Sequence, residues 1–246
     1  MNTTTVIYLK QSQLMVGLVR TFRGLKRDMQ ALMWFIKRPG QISQYLQISR
    51  LKKLQLGTSN NVLDGWLNTD VFPNHGSVVY LDATKRFPFN DNTFDYIMAE
   101  HMIEHIEYQA AQVMLRECFR VLKPGGRARF ATPDLRVILA LHSREKTDAQ
   151  TNYIDWSTAR SMPEVRECKD VFVINLLFRA WGHCFLYDAE TLNHALKTSG
   201  FSEIKFYKPG NSEDPILKNL ESHGREIGAE DINQFETIVV EAQKER

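Results

Sequence analysis

Short apolar blocks separated by turns and acids begin at residue 51, and this pattern predicts strands joined by helices. Runs of four to six apolar-rich residues predict five strands, at 51–56, 66–70, 78–81, 94–99 and 127–132. Helical periodicity predicts a helix over 109–122, and Pro124-Gly125-Gly126 ends it. Short strands that alternate with helices indicate a parallel sheet with helices on both faces.

The rest of the chain adds a helix and two strands to this sheet. The pattern predicts a helix over 188–198 that ends at Gly200, and strands at 201–207 and 236–242. Residues 142–187 are less regular and interrupt the rhythm. A long insertion after a late strand predicts a lid or a substrate-binding region. The predicted fold class is a doubly wound, mostly parallel α/β sheet of seven strands.

The N-terminal segment predicts one long amphipathic helix. Apolar residues recur there at spacings of three and four, which is the period of a helix face, and Pro39-Gly40 is predicted to end it. The stripe consists of Met15, Leu18, Phe22, Leu25, Met29, Leu32 and Ile36. We therefore expect residues 1–50 to form a helical extension and 51–246 to form the main domain.

Net charge also differs between the N-terminal segment and the rest of the chain. Residues 1–53 contain ten basic residues and one acid, so they carry +9, and the remaining residues carry −7. Three interpretations of the basic helix remain open. It packs on its own domain or on a second subunit as a homodimer, it lies on an anionic membrane surface through residues 11–38, or it binds nucleic acid. The scarcity of interleaved aromatic residues makes nucleic acid an unlikely partner.

Composition excludes several classes of protein. The chain has 246 residues, of which 43% are hydrophobic and 24% charged, so disordered and coiled-coil classes do not apply. No apolar run reaches the roughly 18–20 residues of a membrane span, and no signal peptide is evident. Three widely spaced cysteines form no disulfide framework, which predicts a reducing, cytoplasmic location, with contact at the inner membrane surface if the basic helix binds lipid.

Acidic and turn residues follow four of the predicted strands. A turn begins at Gly57, Asp70 and Asp82 end the next two strands, and Glu100 with His101 follows the fourth. In an open parallel sheet, ligands bind outside the carboxyl ends of the strands. Acids there can accept hydrogen bonds from ribose hydroxyls and from an adenine amino group, so the order of these residues predicts a cofactor that contains adenosine.

Several segments resemble the class I S-adenosylmethionine-dependent methyltransferases of the type 11 kind. The resemblance is strong over about 51–135 and weaker over about 183–242. Within this family, the segments resemble most the small bacterial branch associated with polysaccharide biosynthesis. The most specific segment is Leu122-Lys123-Pro124-Gly125-Gly126. The others include Leu54-Gln55-Leu56-Gly57, Gly65-Trp66-Leu67-Asn68-Thr69-Asp70, Asp82-Ala83-Thr84, Glu104-His105-Ile106 and Tyr187-Asp188-x-x-Thr191-Leu192.

This resemblance implies a Rossmann-like fold with S-adenosylmethionine as cofactor and S-adenosylhomocysteine as product. It implies that Asp70 holds the ribose, that Asp82 and Ala83 contact the adenine, and that Glu100 and His101 line the floor near the sulfonium. The complete implied cofactor set is Gly57, Thr58, Asn60, Asp70, Val71, Asp82, Ala83, Glu100 and His101. The loop after the first strand has one glycine where the family has two or three, so Asn60 or Asn61 is predicted to adopt left-handed backbone geometry instead.

The implied reaction is methyl transfer, with oxygen of a small molecule or saccharide as the expected acceptor. A hydroxyl acceptor needs a base near the attacking oxygen. Histidines are the candidates: His183 comes first because it lies in the insertion near Tyr187, His101 second because it ends a strand, and His105 and His223 follow. No resident metal ion is predicted.

Three alternatives remain. A protein with this fold that has lost its activity would bind ligands without catalysis. A zinc hydrolase would use His101-x-x-Glu104-His105, with both histidines on one helix face. A dinucleotide-dependent oxidoreductase would need Gly-x-Gly-x-x-Gly after the first strand, and this sequence lacks that motif.

Overall fold

A computed structural model describes residue 29 and residues 32–245 of the chain. The chain divides into two units, Met1–Ile48 and Ser49–Arg246. The apolar positions of the N-terminal stripe from Met15 to Leu25 lie outside the described residues.

Helix α1 spans residues 32–48 in the first unit, and it corrects one expectation. The predicted end at Pro39-Gly40 is wrong, because the helix continues through both residues. Proline removes one backbone donor, but its fixed φ is compatible with a helix. The residues that follow, 41–48, then continue the helix. Most apolar residues of α1 are exposed, among them Leu32, Phe35 and Ile36.

Seven strands form one sheet in the second unit, as the sequence predicts. They are β1 (Lys53–Leu56), β2 (Leu67–Asp70), β3 (Val79–Tyr80), β4 (Phe94–Glu100), β5 (Leu122–Pro133), β6 (Ser202–Tyr207) and β7 (Thr237–Gln243). Their order is β3-β2-β1-β4-β5-β7-β6. Strand β7 is antiparallel to both of its neighbours, and the other pairings are parallel. Leu54 and Leu56 of β1 are fully buried, as expected for a central parallel strand.

The helices of the second unit follow the strands in chain order. They are α2 (Tyr108–Val121), α3 (Leu135–Ala140), α4 (Asp148–Ser161), α5 (Asp170–Arg179), α6 (Ala189–Thr198), α7 (His223–Ile227) and α8 (Glu230–Glu236). A short 3-10 turn, Ile103–His105, follows β4 directly. Helices α2 and α6 agree with the sequence prediction to within a residue or two.

The segment Lys123–Gly126 does not separate a helix from a strand as predicted. Strand β5 begins at Leu122, directly after α2, and the register shifts between its pairings with Phe94 and Tyr96. Gly125 has φ +81°, and a Cβ on Gly126 would lie 2.9 Å from the Asp95 carbonyl oxygen. The glycines therefore allow a bulge inside the strand, rather than a turn before it.

The insertion 142–187 is more regular than the sequence predicts. It contains α4 and α5, and buried residues of both helices join one apolar cluster with Ile138, Leu141 and Ile232. Thr147 and Gln150 form a reciprocal capping box at the start of α4. This T-x-x-Q pattern was the available sequence signal for the helix.

A buried ion-pair network fixes the loop that follows β6. Arg129 of β5 is fully buried, and its guanidinium donates to Glu221 at 2.6 Å and to Glu241 at 2.5 Å. It also donates to the carbonyl oxygen of Asn211 at 2.9 Å. Two carboxylates and one carbonyl therefore compensate the buried charge and hold residues 211–221 against the sheet.

Candidate functional site

The strand order places a crevice where β1 meets β4. From β1 the chain moves outward through β2 to β3, and it then returns to the other side of β1 with β4. Leu56 pairs with Ala99, so the next residues, Gly57 and Glu100, lie side by side at the end of this strand pair. This reversal of strand order is where open α/β sheets bind ligands.

A first cavity of about 250 Å³, the strand-end cavity, opens at this point. Four residues predicted to bind the cofactor line it: Gly57, Thr58, Glu100 and His101. The remaining lining residues are Gln55, Ser59, Asn61, His105, Ser222, His223 and Glu226. The structure therefore brings together predicted residues from two strand ends, and adds residues near α7 that the sequence analysis did not assign to the cofactor.

The loop after β1 turns through two residues with positive φ. Gly57 has φ +64° and Ser59 has φ +48°. The expectation that Asn60 or Asn61 would adopt left-handed geometry is wrong, because Ser59 takes that role. Asn61 instead donates a hydrogen bond to Glu100 at 3.1 Å, and the Asn60 side-chain oxygen accepts one from Asn74 at 3.0 Å.

Asp70 supports the same loop from the end of β2. Its carboxylate accepts hydrogen bonds from the backbone N–H of Ser59 at 2.9 Å and of Phe72 at 2.8 Å. Each carboxylate oxygen has a second lone pair, so these bonds leave acceptor capacity. Asp70 does not itself line the strand-end cavity, but it lies one hydrogen bond away from Ser59, which does.

Four other predicted cofactor residues do not line the strand-end cavity: Asn60, Val71, Asp82 and Ala83. Val71 is exposed, and Ala83 is buried. The Asp82 carboxylate accepts hydrogen bonds from the backbone N–H and the hydroxyl of Thr84, at 2.9 and 2.6 Å. Asp82 and Ala83, which the resemblance places against the adenine, therefore lie just after β3 and outside the strand-end cavity.

Glu100 joins the end of β4 to the segment before α7. Its carboxylate accepts hydrogen bonds from the backbone N–H of Ser222 and of His223, each at 2.8 Å at its shortest. Residues 222 and 223 thereby form one wall of the strand-end cavity. No local sequence pattern links Glu100 to this wall, since the contact spans more than half of the second unit.

A second cavity of about 280 Å³, the insertion cavity, lies beside the first. Its lining includes Tyr153, Trp156 and Arg160 of α4 together with Trp181 and His183 of the loop after α5. His101, His105 and His223 line both cavities, so these three histidines form the junction between them. The imidazoles of His101 and His223 stack with ring centroids 4.0 Å apart.

His101 forms a buried pair with Glu104 at this junction. Its Nδ1 lies 3.1 Å from Oε1 of Glu104, and its Nε2 lies 3.1 Å from the Thr237 hydroxyl. Burial disfavours charge on His101, but the hydrogen bond and negative charge of Glu104 outweigh it and raise the pKa of His101 to about 9. Burial likewise opposes charge on Glu104, yet His101 holds the pKa of this carboxyl below its ordinary value. Since the histidine is protonated, it is poorly suited to accept a proton.

His183 has the opposite character. Its Nδ1 lies 2.7 Å from the carbonyl oxygen of Leu177, which can only accept, so Nδ1 carries the proton. In the neutral ring, Nε2 is then unprotonated. Burial lowers the pKa of His183 and outweighs the hydrogen bond to Leu177. Of the predicted catalytic histidines, His183 is therefore the one fixed as an electron-pair donor.

Three side chains at the junction can offer ligand atoms to a metal ion. The donor atoms of Glu104, His105 and His183 all lie within 4.8 Å of one another. His101 is not in this group, so the zinc-hydrolase arrangement His101-x-x-Glu104-His105 is wrong as predicted. Residues 103–105 form a single 3-10 turn, which cannot place His101 and His105 on one helix face.

A family model described as "Methyltransferase domain" matches residues 43–130. These residues include β1 to β4, α2 and most of β5. No curated protein sequence matches the chain.

Solved structures with similar folds include several methyltransferases. Phosphoethanolamine N-methyltransferase 2 of Haemonchus contortus, solved with S-adenosylhomocysteine, is 14% identical, covers 83% of this chain and has a TM-score of 0.42. The chain spans about half of that protein, 53%. A methyltransferase from Archaeoglobus fulgidus is 13% identical, with 87% and 93% of the two chains covered and a TM-score of 0.46. One from Thermotoga maritima is 15% identical, with 88% and 95% covered and a TM-score of 0.43.

The matched segment covers about a third of the chain. The second unit, which contains most of this segment, has the seven-stranded, mostly parallel, Rossmann-like sheet that the sequence predicts. The cofactor that the sequence resemblance implies is S-adenosylmethionine. Among the described residues, no helix has the length and apolar character needed to cross a bilayer.

Proposed function

We propose that this protein transfers a methyl group from S-adenosylmethionine to an oxygen of a small molecule or saccharide. One observation carries the proposal: the strand-end cavity and the insertion cavity meet at His101, His105 and His223. Methyl transfer needs a cofactor site and an acceptor site that meet at one point, because the acceptor must attack in line with the bond that breaks.

The strand-end cavity suits the methionine half of the cofactor. Gly57 brings backbone to the wall of this cavity without a side chain, and Asp70 orients the loop and keeps acceptor capacity for the ribose hydroxyls. Thr58, Asn60, Val71, Asp82 and Ala83 complete the proposed contacts, with Asp82 and Ala83 toward the adenine. When bound, the cofactor supplies an activated methyl group on sulfur.

The insertion cavity suits a ring-shaped acceptor with hydroxyl groups. Trp156 and Trp181 contribute aromatic surface, and the Arg160 guanidinium lies 5.2 Å from the Trp156 ring centroid. Aromatic faces stack on the apolar faces of sugar rings, while nearby polar groups bind the hydroxyls. Helices α4 and α5 supply this cavity, in agreement with the proposed role of the insertion as a lid-like acceptor site.

His183 is the proposed base. Its Nε2 electron pair accepts the proton of the acceptor hydroxyl, while Nδ1–H remains bonded to the Leu177 carbonyl. His101 and His105 line the junction and orient the reacting groups. The hydroxyl oxygen forms the new bond to the methyl carbon, and S-adenosylhomocysteine leaves.

The N-terminal residues indicate where the acceptor is located. The +9 charge of residues 1–53 and the exposed apolar residues of α1 favour contact with an anionic membrane surface, as a lipid-carried saccharide would require. We therefore propose peripheral contact with the cytoplasmic face of the inner membrane. The −7 charge of the remaining residues disfavours a nucleic-acid acceptor.

Transfer of labelled methyl groups to a panel of free, nucleotide-linked and lipid-linked saccharides tests the proposal. His183→Gln should slow transfer about 10²–10⁴-fold, since it removes the base. Its affinity for S-adenosylmethionine should be retained. His142→Gln is the matched control, because His142 is exposed and lies outside both cavities.

Two outcomes would contradict parts of this proposal. Full activity of His183→Gln would remove the base assignment. Cofactor binding with no transfer to any oxygen acceptor would favour the alternative of a binding protein that retains the fold without the activity.

A further inference from the structure

We propose that Glu104, His105 and His183 form a binding site for one divalent metal ion of the zinc type, open to the insertion cavity. The inference rests on the proposed function for the position of the acceptor, and it refines how the hydroxyl is activated. The sequence predicts no resident metal ion, and the fold brings His183 to Glu104 and His105 from a distant part of the chain.

Backbone contacts explain why the three side chains converge. Glu104 and His105 belong to the 3-10 turn directly after β4. The Glu104 carbonyl oxygen accepts hydrogen bonds from the N–H of Cys184 at 2.7 Å and of Phe185 at 3.2 Å. These bonds place His183 beside the turn, with ring centroids of His105 and His183 4.9 Å apart.

The donor atoms have the chemistry that zinc prefers. Two imidazole nitrogens and one carboxylate oxygen form the His₂Glu set found in catalytic zinc sites, which keep a position open for substrate. Such an ion lies about 2.0–2.2 Å from each ligand atom, so bound donors are roughly 3–3.5 Å apart. The present donors lie within 4.8 Å of one another, and His105 is the exposed member of the three, so its side chain is the one that would move to close this gap.

Outer contacts already orient two of the three ligands. His183 donates its Nδ1–H to the Leu177 carbonyl, which leaves Nε2 as the metal-binding atom. Oε2 of the fully buried Glu104 accepts a hydrogen bond from the Thr132 hydroxyl at 3.0 Å. Hydrogen bonds of this kind fix the tautomer and orientation of metal ligands and are a regular part of metal sites.

Glu104 retains an electron pair for an ion despite its contact with His101. Oε1 lies 3.1 Å from His101 Nδ1, and a carboxylate oxygen carries two lone pairs. This oxygen is buried, and among the described residues it has no hydrogen-bond partner besides the His101 pair. Its second lone pair can therefore face an ion.

A bound metal ion and the proton of the acceptor hydroxyl would compete for the same electron pair, on Nε2 of His183. In the ion-bound protein, His183 is therefore a ligand rather than the base. The acceptor oxygen occupies the open position on the ion, where coordination lowers the pKa of its hydroxyl. The O–H bond breaks, the proton passes to solvent water, and the oxygen attacks the methyl carbon as the bond from carbon to sulfur breaks.

The test is calorimetric titration of the chelator-treated full chain with zinc chloride, followed by titration with S-adenosylmethionine. We expect one zinc ion per chain. His105→Ala and His183→Ala should each weaken zinc binding about 10–100-fold or more. His142→Ala should leave zinc binding unchanged, because this exposed histidine lies away from the cluster.

Cobalt substitution provides a second readout, since visible absorption of Co²⁺ reports nitrogen and oxygen ligation directly. Loss of that absorption in His183→Ala, with the cofactor affinity retained, would support the site, because His183 lines the insertion cavity and not the strand-end cavity. Absence of zinc binding by the wild type, or equal binding by His105→Ala and wild type, overturns the inference. If S-adenosylmethionine still binds in those cases, the proposed function stands alone; if it does not, the proposed function fails as well.

Discussion

Single residues determine the shape of the loop after β1. Gly57 adopts positive φ and lines the strand-end cavity, as a turn residue at a first strand end is expected to do. The sequence does not predict that Ser59 is the second residue with positive φ, because asparagine has the stronger intrinsic preference. Ser59 adopts this geometry where Asp70 accepts a hydrogen bond from its backbone N–H, which is a tertiary contact.

Gly57→Ala should destabilise the protein and weaken cofactor binding. A Cβ at this position would lie 2.5 Å from Met102 Cγ, and the left-handed backbone adds about 1–2 kcal/mol of strain. Urea denaturation and S-adenosylmethionine titration measure the two effects. Gly76→Ala is the control, since a Cβ there meets nothing within 4 Å. Equal loss in both variants would contradict this account of Gly57.

The candidate site could be predicted from the sequence only in part. Gly57, Glu100 and His101 follow strands, and the parallel topology places such residues at one edge of the sheet. Ser222 lies at the same cavity because its backbone N–H donates a hydrogen bond to Glu100. No periodicity in the sequence predicts this contact. The hydrogen-bond partners of the histidines could not be predicted from the sequence either. The Leu177 carbonyl that fixes the tautomer of His183 is a backbone group, which no residue type marks.

At the scale of elements, helix α2 holds the segment before β4 in place. Glu117 accepts hydrogen bonds from Arg120 at 2.9 and 2.6 Å and from the Phe87 N–H at 2.7 Å. Arg120 in turn donates to the Phe89 carbonyl oxygen at 2.9 Å. These contacts join consecutive elements through side chains that are mostly buried.

Glu117 should make stability depend on pH in the acid range. The hydrogen bond to Arg120 lowers the pKa of Glu117 in the folded protein, and this outweighs its burial. Its contribution is therefore complete above the unfolded pKa of about 4.3 and is lost as the pH falls through the folded pKa.

Urea denaturation of Glu117→Gln across this range provides the measurement. The variant should be less stable than wild type at neutral pH, and the difference should shrink below about pH 4. Glu213→Gln is the control, because its pair with Lys205 is exposed and such pairs are worth little. A difference that does not change with pH would contradict the role of the Glu117 carboxylate.

Elements with strong periodicity were predicted well, and those that depend on context were not. The parallel strands β1 to β5 lie where the short apolar blocks predict them, because buried parallel strands need continuous apolar sequence. Strands β6 and β7, which pair antiparallel, lie within one residue of their predicted bounds. Helices α4 and α5 were missed, since their apolar faces match a local cluster rather than a regular stripe. Helix α1 continues through Pro39, so the proline that was predicted to end the helix does not do so.

At the scale of the whole molecule, charge and function are divided between two units. The net positive charge is concentrated in residues 1–53, and the described residues of the candidate site all lie in the second unit. A separate basic unit with exposed apolar residues is typical of a peripheral membrane segment.

Co-sedimentation with anionic vesicles should depend on the exposed apolar residues of α1. Leu32 and Ile36 are 59% and 67% exposed, so a Leu32→Glu, Ile36→Glu double variant should fold but bind vesicles more weakly. Neutral vesicles should bind less of the wild type, and Lys205→Glu, an exposed change in the second unit, is the control. Equal partition of all variants would contradict the membrane proposal. A dimer observed in light scattering would then assign this surface to a second copy of the chain.

The central claim is that the strand ends of β1, β2 and β4 bind S-adenosylmethionine. Calorimetric titration of the wild type and of Asp70→Ala tests it most directly, with Asp64→Ala, an exposed acid outside both cavities, as control. We predict saturable binding of S-adenosylmethionine and S-adenosylhomocysteine by wild type and by Asp64→Ala, and a loss of about tenfold or more in Asp70→Ala, equivalent to one lost charged hydrogen bond. Absence of binding by the wild type, or unchanged binding by Asp70→Ala, would contradict the account.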